Sequence, residues 1–157
     1  MRARQLPTSA VALALCVALA GCSGSSGSGG SGGSSHSPVT VRSIRSGATS
    51  YSMAEAQSSI AVGTSRFVFG LIPRSGAPAA GGSVQVWVAA DERSAASGPF
   101  PARFVAWSAP RTDAFGHPPV PGFYEADVTV PRPGNWLVAA RGVVGGRLLA
   151  GVGATAA

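Results

Sequence analysis

The chain holds four side chains of the kind that do nucleophilic or metal chemistry: Cys16, Cys22, His36 and His117. A Ser-His-Asp hydrolase needs an imidazole within reach of a nucleophile and of an orienting carboxylate. His117 is the only such base beyond residue 50, at Phe115-Gly116-His117-Pro118, and no nucleophile motif accompanies it. A copper or zinc site needs several converging ligands. The candidates beside His117 are His36, Met53, Asp91, Glu92 and Asp113, and no spacing links them. Asp91 and Glu92 form an acid pair in sequence, but neighbours on a strand point to opposite faces, so a polar turn is expected there. The glycines never form a phosphate-cradling loop. No catalytic residue, metal site or cofactor is therefore expected. His117 reads as a solvated loop residue whose remaining use is contact with a partner.

Cys22 is different. It closes Leu19-Ala20-Gly21-Cys22, which resembles a bacterial lipobox. Arg2 and Arg4 precede an uncharged run from Ala10 to Ala20. A spanning helix needs roughly 20 apolar residues, so this shorter run is read as the core of a signal peptide. The resemblance implies that the Cys22 thiol receives a diacylglycerol, that the leader is cleaved before it, and that the freed amine is acylated. Each buried methylene contributes about 0.8 kcal/mol and one chain alone holds weakly, so two or three chains make a firm anchor. The expected location is the extracytoplasmic face of the cell membrane, with the lipid bilayer as first partner. Cys16 would leave with the leader and Cys22 would carry lipid, so no disulfide or CxxC chemistry is expected.

All twelve basic residues are arginines. Without Arg2 and Arg4, ten arginines face six carboxylates, a balance of +4. They are scattered singly, whereas nucleic-acid binding needs a concentrated basic face. No nucleic-acid partner is expected. Ordinary solubilising charge is the plain reading, and weak attraction to anionic headgroups or wall polymers the more specific one.

Three stretches organise the chain: a lipoprotein signal peptide at 1–21, a lipidated cysteine with a Ser/Gly stalk at 22–50, and a folded domain at 51–157. Residues 23–37 are almost pure Ser and Gly and bury nothing, so they are expected to be a disordered linker. Fifteen such residues span about 20 Å r.m.s.. Beyond residue 50 apolar residues alternate with period two, the strand signature. Strands are expected at Ser58–Val62, Arg66–Ile72, Val84–Val88, Ala102–Trp107, Gly122–Val130, Asn135–Arg141 and Leu148–Val152. Phe67, Phe69 and Leu71 share one face, as do Val84, Val86 and Val88, then Tyr124, Ala126, Val128 and Val130, then Trp136, Val138 and Ala140. A weak helical pattern occurs only near Met53 to Gln57. Trp87 points away from its valines, and an exposed indole there would mark a partner surface. Seven short strands with regular turn signals predict an all-β domain, a single immunoglobulin-like sandwich.

The stretch Gly122-x-Tyr124-x-Ala126-x-Val128-x-x-Pro131-x-x-Gly134-x-Trp136 resembles a hairpin of bacterial extracytoplasmic immunoglobulin-like domains, among them the YtkA-like, FixH-like and copper-resistance C-like groups. Its Gly-x-Tyr portion is similar to a tyrosine corner, with Ala126 where antibodies place a cysteine. The resemblance covers roughly residues 56 to 153. It implies the sandwich and says little of function, because sandwiches host many activities. The expected function is a membrane-anchored, non-enzymatic binding or structural module that meets a membrane or cell-wall protein or polymer. A copper-handling carrier and an accessory subunit of a membrane-bound redox complex are the alternatives the resemblance raises.

Overall fold

The computed structural model of the protein describes residues 37–74, 76–108 and 119–157. Cys22 with its Leu19-Ala20-Gly21 motif, the leader, His36 and His117 lie outside the described residues. One short helix, α1 (Val41–Arg45), precedes seven strands. These are β1 (Thr49–Glu55), β2 (Gly63–Ile72), β3 (Ser83–Ala89), β4 (Ser97–Ala106), β5 (Gly122–Val130), β6 (Asn135–Val144) and β7 (Arg147–Ala156).

The strands close into a barrel in the order β1-β2-β5-β4-β3-β6-β7. The expected immunoglobulin-like sandwich is therefore overturned. Its two sheets would each leave edge strands, whereas here the first and last strands pair with each other. β1 runs parallel to β7, from Thr49 opposite Leu149 to Ser52 opposite Val152, and antiparallel to β2. Every strand thus has two neighbours and no edge is left to cover. Period-two alternation describes a barrel wall and a sandwich sheet equally well. The β1–β7 pairing separates them, and its first strand was not legible. The expected first strand, Ser58–Val62, is a connector. It closes one end of the barrel, with Ile60 buried and its N–H donating to the Ala156 carbonyl at 2.9 Å. The weakly helical Met53–Gln57 window falls largely in β1.

The inward faces are those the alternation predicts. Phe67, Phe69, Leu71, Val84, Val86, Val88, Tyr124, Val128 and Val138 are essentially inaccessible and fill one core with Trp136 and Leu149. The aromatics stack through it: Phe67 on Phe69 and Phe69 on Tyr124 at 5.5 Å between centroids, with the edge of Phe104 on Tyr124 at 5.2 Å. The Tyr124 hydroxyl donates to the Gly81 carbonyl at 2.8 Å, in the β2–β3 loop. A tyrosine corner bonds a few residues upstream; this one reaches back 43 residues and pins a distant loop. Burial, then the nearby Tyr51 phenol, pushes the Tyr124 hydroxyl up to about 12. Small residues let the wall close tightly. A Cβ on Gly142 would come 2.2 Å from the Ser83 carbonyl oxygen across the β3–β6 pair.

Residues 40–50, grouped with the stalk in the sequence reading, hold α1 and the start of β1. A five-residue helix has little stability of its own. Here it is held from three sides. Thr40 and Ser43 form a reciprocal capping box, the Thr40 Oγ1 accepting the Ser43 N–H at 3.2 Å and the Ser43 Oγ accepting the Thr40 N–H at 2.9 Å. Arg141 of β6 donates from Nη1 to the carbonyls of Ser43 and Ile44 at 3.2 and 2.9 Å, at the helix C-terminus where cations are favoured. Val41 and Ile44 pack on Trp87, Ala89 and Ala139 outside the barrel wall.

That packing corrects the expectation for Trp87. Its indole does point away from the core, but it is only 8 % exposed because α1 lies over it. It offers no free partner surface. The covering residues Val41 and Ile44 stand three apart in a polar segment, too brief a stripe to read as a helix.

Candidate functional site

The barrel interior is filled by side chains, so the hollows open to a ligand lie on the outer surface. Two hollows there have contrasting chemistry. The first is an apolar groove of about 380 Å³ over β1, β2 and the start of β5. Its walls include Val68 and Ile72 from β2, Pro78 from the β2–β3 loop, and Phe123, Trp107 and Val120 from the β4–β5 region. The Ala79 N–H donates to the Leu71 carbonyl at 2.8 Å and folds the β2–β3 loop against the groove. The Trp107 N–H donates to the Pro121 carbonyl at 2.9 Å and fixes the chain where β4 ends. Trp107 meets Phe123 edge-on at 6.0 Å yet stays 56 % exposed. Ligand pockets of this size, apolar with few polar groups, suit a small molecule or a few side chains.

The second hollow, about 510 Å³, lies between α1, the β3–β4 turn and the starts of β1 and β7. Arg42 and Arg45 enter it from α1 and Arg93 from the turn, with Ser46 and Ser50 beside them. Arg45 pairs with Glu92 at 3.3 Å, both side chains at least half exposed. Such an exposed pair contributes little stability.

The acid pair behaves as a turn, not a reactive centre. Asp91 accepts the N–H groups of Arg93 and Ser94 at 2.8 Å and also the Ser94 hydroxyl. The Ser94 hydroxyl first, then those N–H groups, hold the Asp91 carboxyl below its ordinary value. Glu92 turns outward to Arg45. A third charged group sits on the outer face of β2, β5 and β4, where buried Glu125 is bridged by Arg103 and lies 3.8 Å from Arg66. Both arginines are mostly exposed, and the set reads as cross-strand pairing. Among the described residues no three His, Cys, Asp or Glu side chains gather into a metal-binding group.

Neither hollow was found from sequence. Trp107 ended an expected strand and was given no role. One signal was available: with Phe104 facing in, period two puts Trp107 outside. Arg42, Arg45 and Arg93 stand about 50 residues apart in two groups, and nothing linear joins them. No protein-family model, curated protein or solved structure matches this chain.

Proposed function

We propose that the protein is an extracytoplasmic lipoprotein, anchored through Cys22, whose barrel is a non-enzymatic module that binds apolar groups on its outer wall. The observation that carries the binding role is the groove beside Trp107. An indole more than half exposed, set against Phe123, Ile72 and Val120, is the kind of anchor that dominates recognition surfaces. The lipobox and the Ser/Gly stretch support the tether, which would hold that groove near the cell surface.

Two measurements test this. The N-terminal peptide of the protein recovered from bacterial membranes should begin at Cys22 and carry the mass of a diacylglycerol. An intact leader on a soluble cytoplasmic product removes the tether. For the groove, the uncharged apolar fluorophore N-phenyl-1-naphthylamine should bind the folded protein saturably, and Trp107→Ala should abolish most of that signal. Equal binding to the variant removes the groove.

A further inference from the structure

We infer that the arginine hollow beside α1 is a docking surface for the phosphate headgroups of anionic phospholipids, in the leaflet that holds the tether. Three guanidiniums line it, those of Arg42, Arg45 and Arg93. Among the described residues, neither Arg42 nor Arg93 has a carboxylate within ion-pair reach. Asp91 spends its oxygens inside its own turn, and Arg141 spends its guanidinium on the α1 carbonyls. Glu92 offsets Arg45 and the Asp91 charge reaches Arg93, so the three guanidiniums outnumber the neighbouring carboxylates by one and the hollow stays positive. Guanidinium groups match phosphate oxygens in charge and in planar, two-pronged geometry. The serine hydroxyls of Ser46 and Ser50 add neutral donors at its rim.

The hollow is also built to hold its shape. The Arg42 N–H donates to the Glu92 carbonyl at 3.1 Å, and the Ala96 N–H donates to the Val39 carbonyl at 2.8 Å. These bonds clamp the β3–β4 turn to the segment that carries α1. The Asp91 turn and the Thr40–Ser43 capping box stiffen each side. The arginines therefore sit on two braced backbones, which lowers the entropy lost on binding.

Position argues for a leaflet as the source of phosphate. This step rests on the tether reading. The described chain comes onto the barrel at Val39, whose carbonyl accepts from Ala96, so the hollow flanks the point where the N-terminal side of the chain enters. Only 17 residues separate Cys22 from Thr40 in the sequence, and a tether turns a weak contact into an intramolecular one. Both hollows touch β1, the arginine hollow at Ser50 near its start and the groove at Ala54 and Glu55 near its end, so the two sites lie at opposite ends of one strand.

The test uses the chain from residue 22 with Cys22→Ser, so that no acyl chain can carry it to a membrane. Cosedimentation with vesicles of phosphatidylcholine, with and without phosphatidylglycerol, reads the docking. Near an anionic surface each arginine is worth about fivefold in partition. Arg42→Gln with Arg93→Gln should therefore lower binding to the anionic vesicles about 30-fold, and binding should weaken with salt. Arg74→Gln with Arg147→Gln removes the same charge elsewhere and should leave most of the binding intact. Circular dichroism melts confirm that both double variants fold. The inference is overturned by no preference for anionic vesicles, or by equal loss in the two double variants. It is also overturned if calorimetry shows inorganic phosphate binding that is lost in the Arg42→Gln, Arg93→Gln variant while the anionic vesicles bind neither chain, which would mark a site for free phosphate. The mass of the Cys22 peptide judges the tether separately, because the unacylated chain used here does not depend on it.

Discussion

Truncating the two surface-directed tryptophans should give opposite results, and Trp87→Ala is the sharper of the pair. A tryptophan buries about 150–250 Å², and Trp87 keeps only 8 % of its surface exposed. At about 25 cal/mol per Å² this corresponds to about 4–6 kcal/mol as an upper bound. Measured Trp→Ala costs of about 3–5 kcal/mol agree. The loss should not be spread evenly. α1 rests on this indole, so its five residues should detach while the barrel persists. For a body of this size about 4 °C accompanies each kcal/mol, so the melting midpoint should fall by roughly 12–20 °C. Hydrogen exchange should show lost protection at the Ile44 amide, which bonds Thr40, and at the Arg42 amide, which bonds Glu92. Trp107→Ala, at a residue 56 % exposed, should cost no more than about 0.5–1 kcal/mol. If Trp87→Ala melts within a few degrees of the parent, or α1 amides stay protected, the helix is not held by this contact and the reasoning fails.

Three further outcomes follow from the barrel. Tyr124→Phe removes the donor to the Gly81 carbonyl and should cost about 0.5–1.5 kcal/mol in urea titrations, with the β2–β3 loop exchanging faster; unchanged loop exchange counts against the pin. Gly142→Ala sets a methyl against the Ser83 carbonyl and the Val84 Cα, at 2.2 and 2.7 Å, so β3 and β6 must part. It should destabilise by about 1–3 kcal/mol, and a variant as stable as the parent would show that the pair tolerates more space. Burial raises the Glu55 carboxyl above its ordinary 4.5, against the lowering effect of the Ala154 N–H. Its folded form thus holds the proton more tightly than the unfolded chain, so this group favours folding in acid and that contribution fades as pH rises through the folded value. Glu55→Gln should therefore raise the melting midpoint at neutral pH and converge with the parent below pH 4.5; a variant less stable at neutral pH refutes the sign.

Much of the wall was legible in the residues alone, and the reason is geometric. On a strand, alternate side chains share a face, so Phe67-x-Phe69-x-Leu71 and Tyr124-x-Ala126-x-Val128-x-Val130 declare their inward sides without any partner in view. The turn at Gly145-Gly146 and the Pro131–Gly134 turn separate the last strands as composition suggests. β1 was obscure because Thr49–Glu55 is polar outside and only half-buried inside, through Tyr51 and Met53. Its place depends on β7, about 100 residues later, and pairing over that distance leaves no local mark.

The linear chain by itself determined the strand faces, the turns, the arginine-only basic charge and the cysteine at the close of an apolar run, since each is a property of neighbours. Tertiary structure alone decided three things: that the wall closes on itself, that a short helix roofs Trp87, and that Arg42, Arg45 and Arg93 share one hollow while Trp107 stands at another. All three depend on which distant segments meet, and contacts between segments far apart in sequence are set by the packing of the whole molecule.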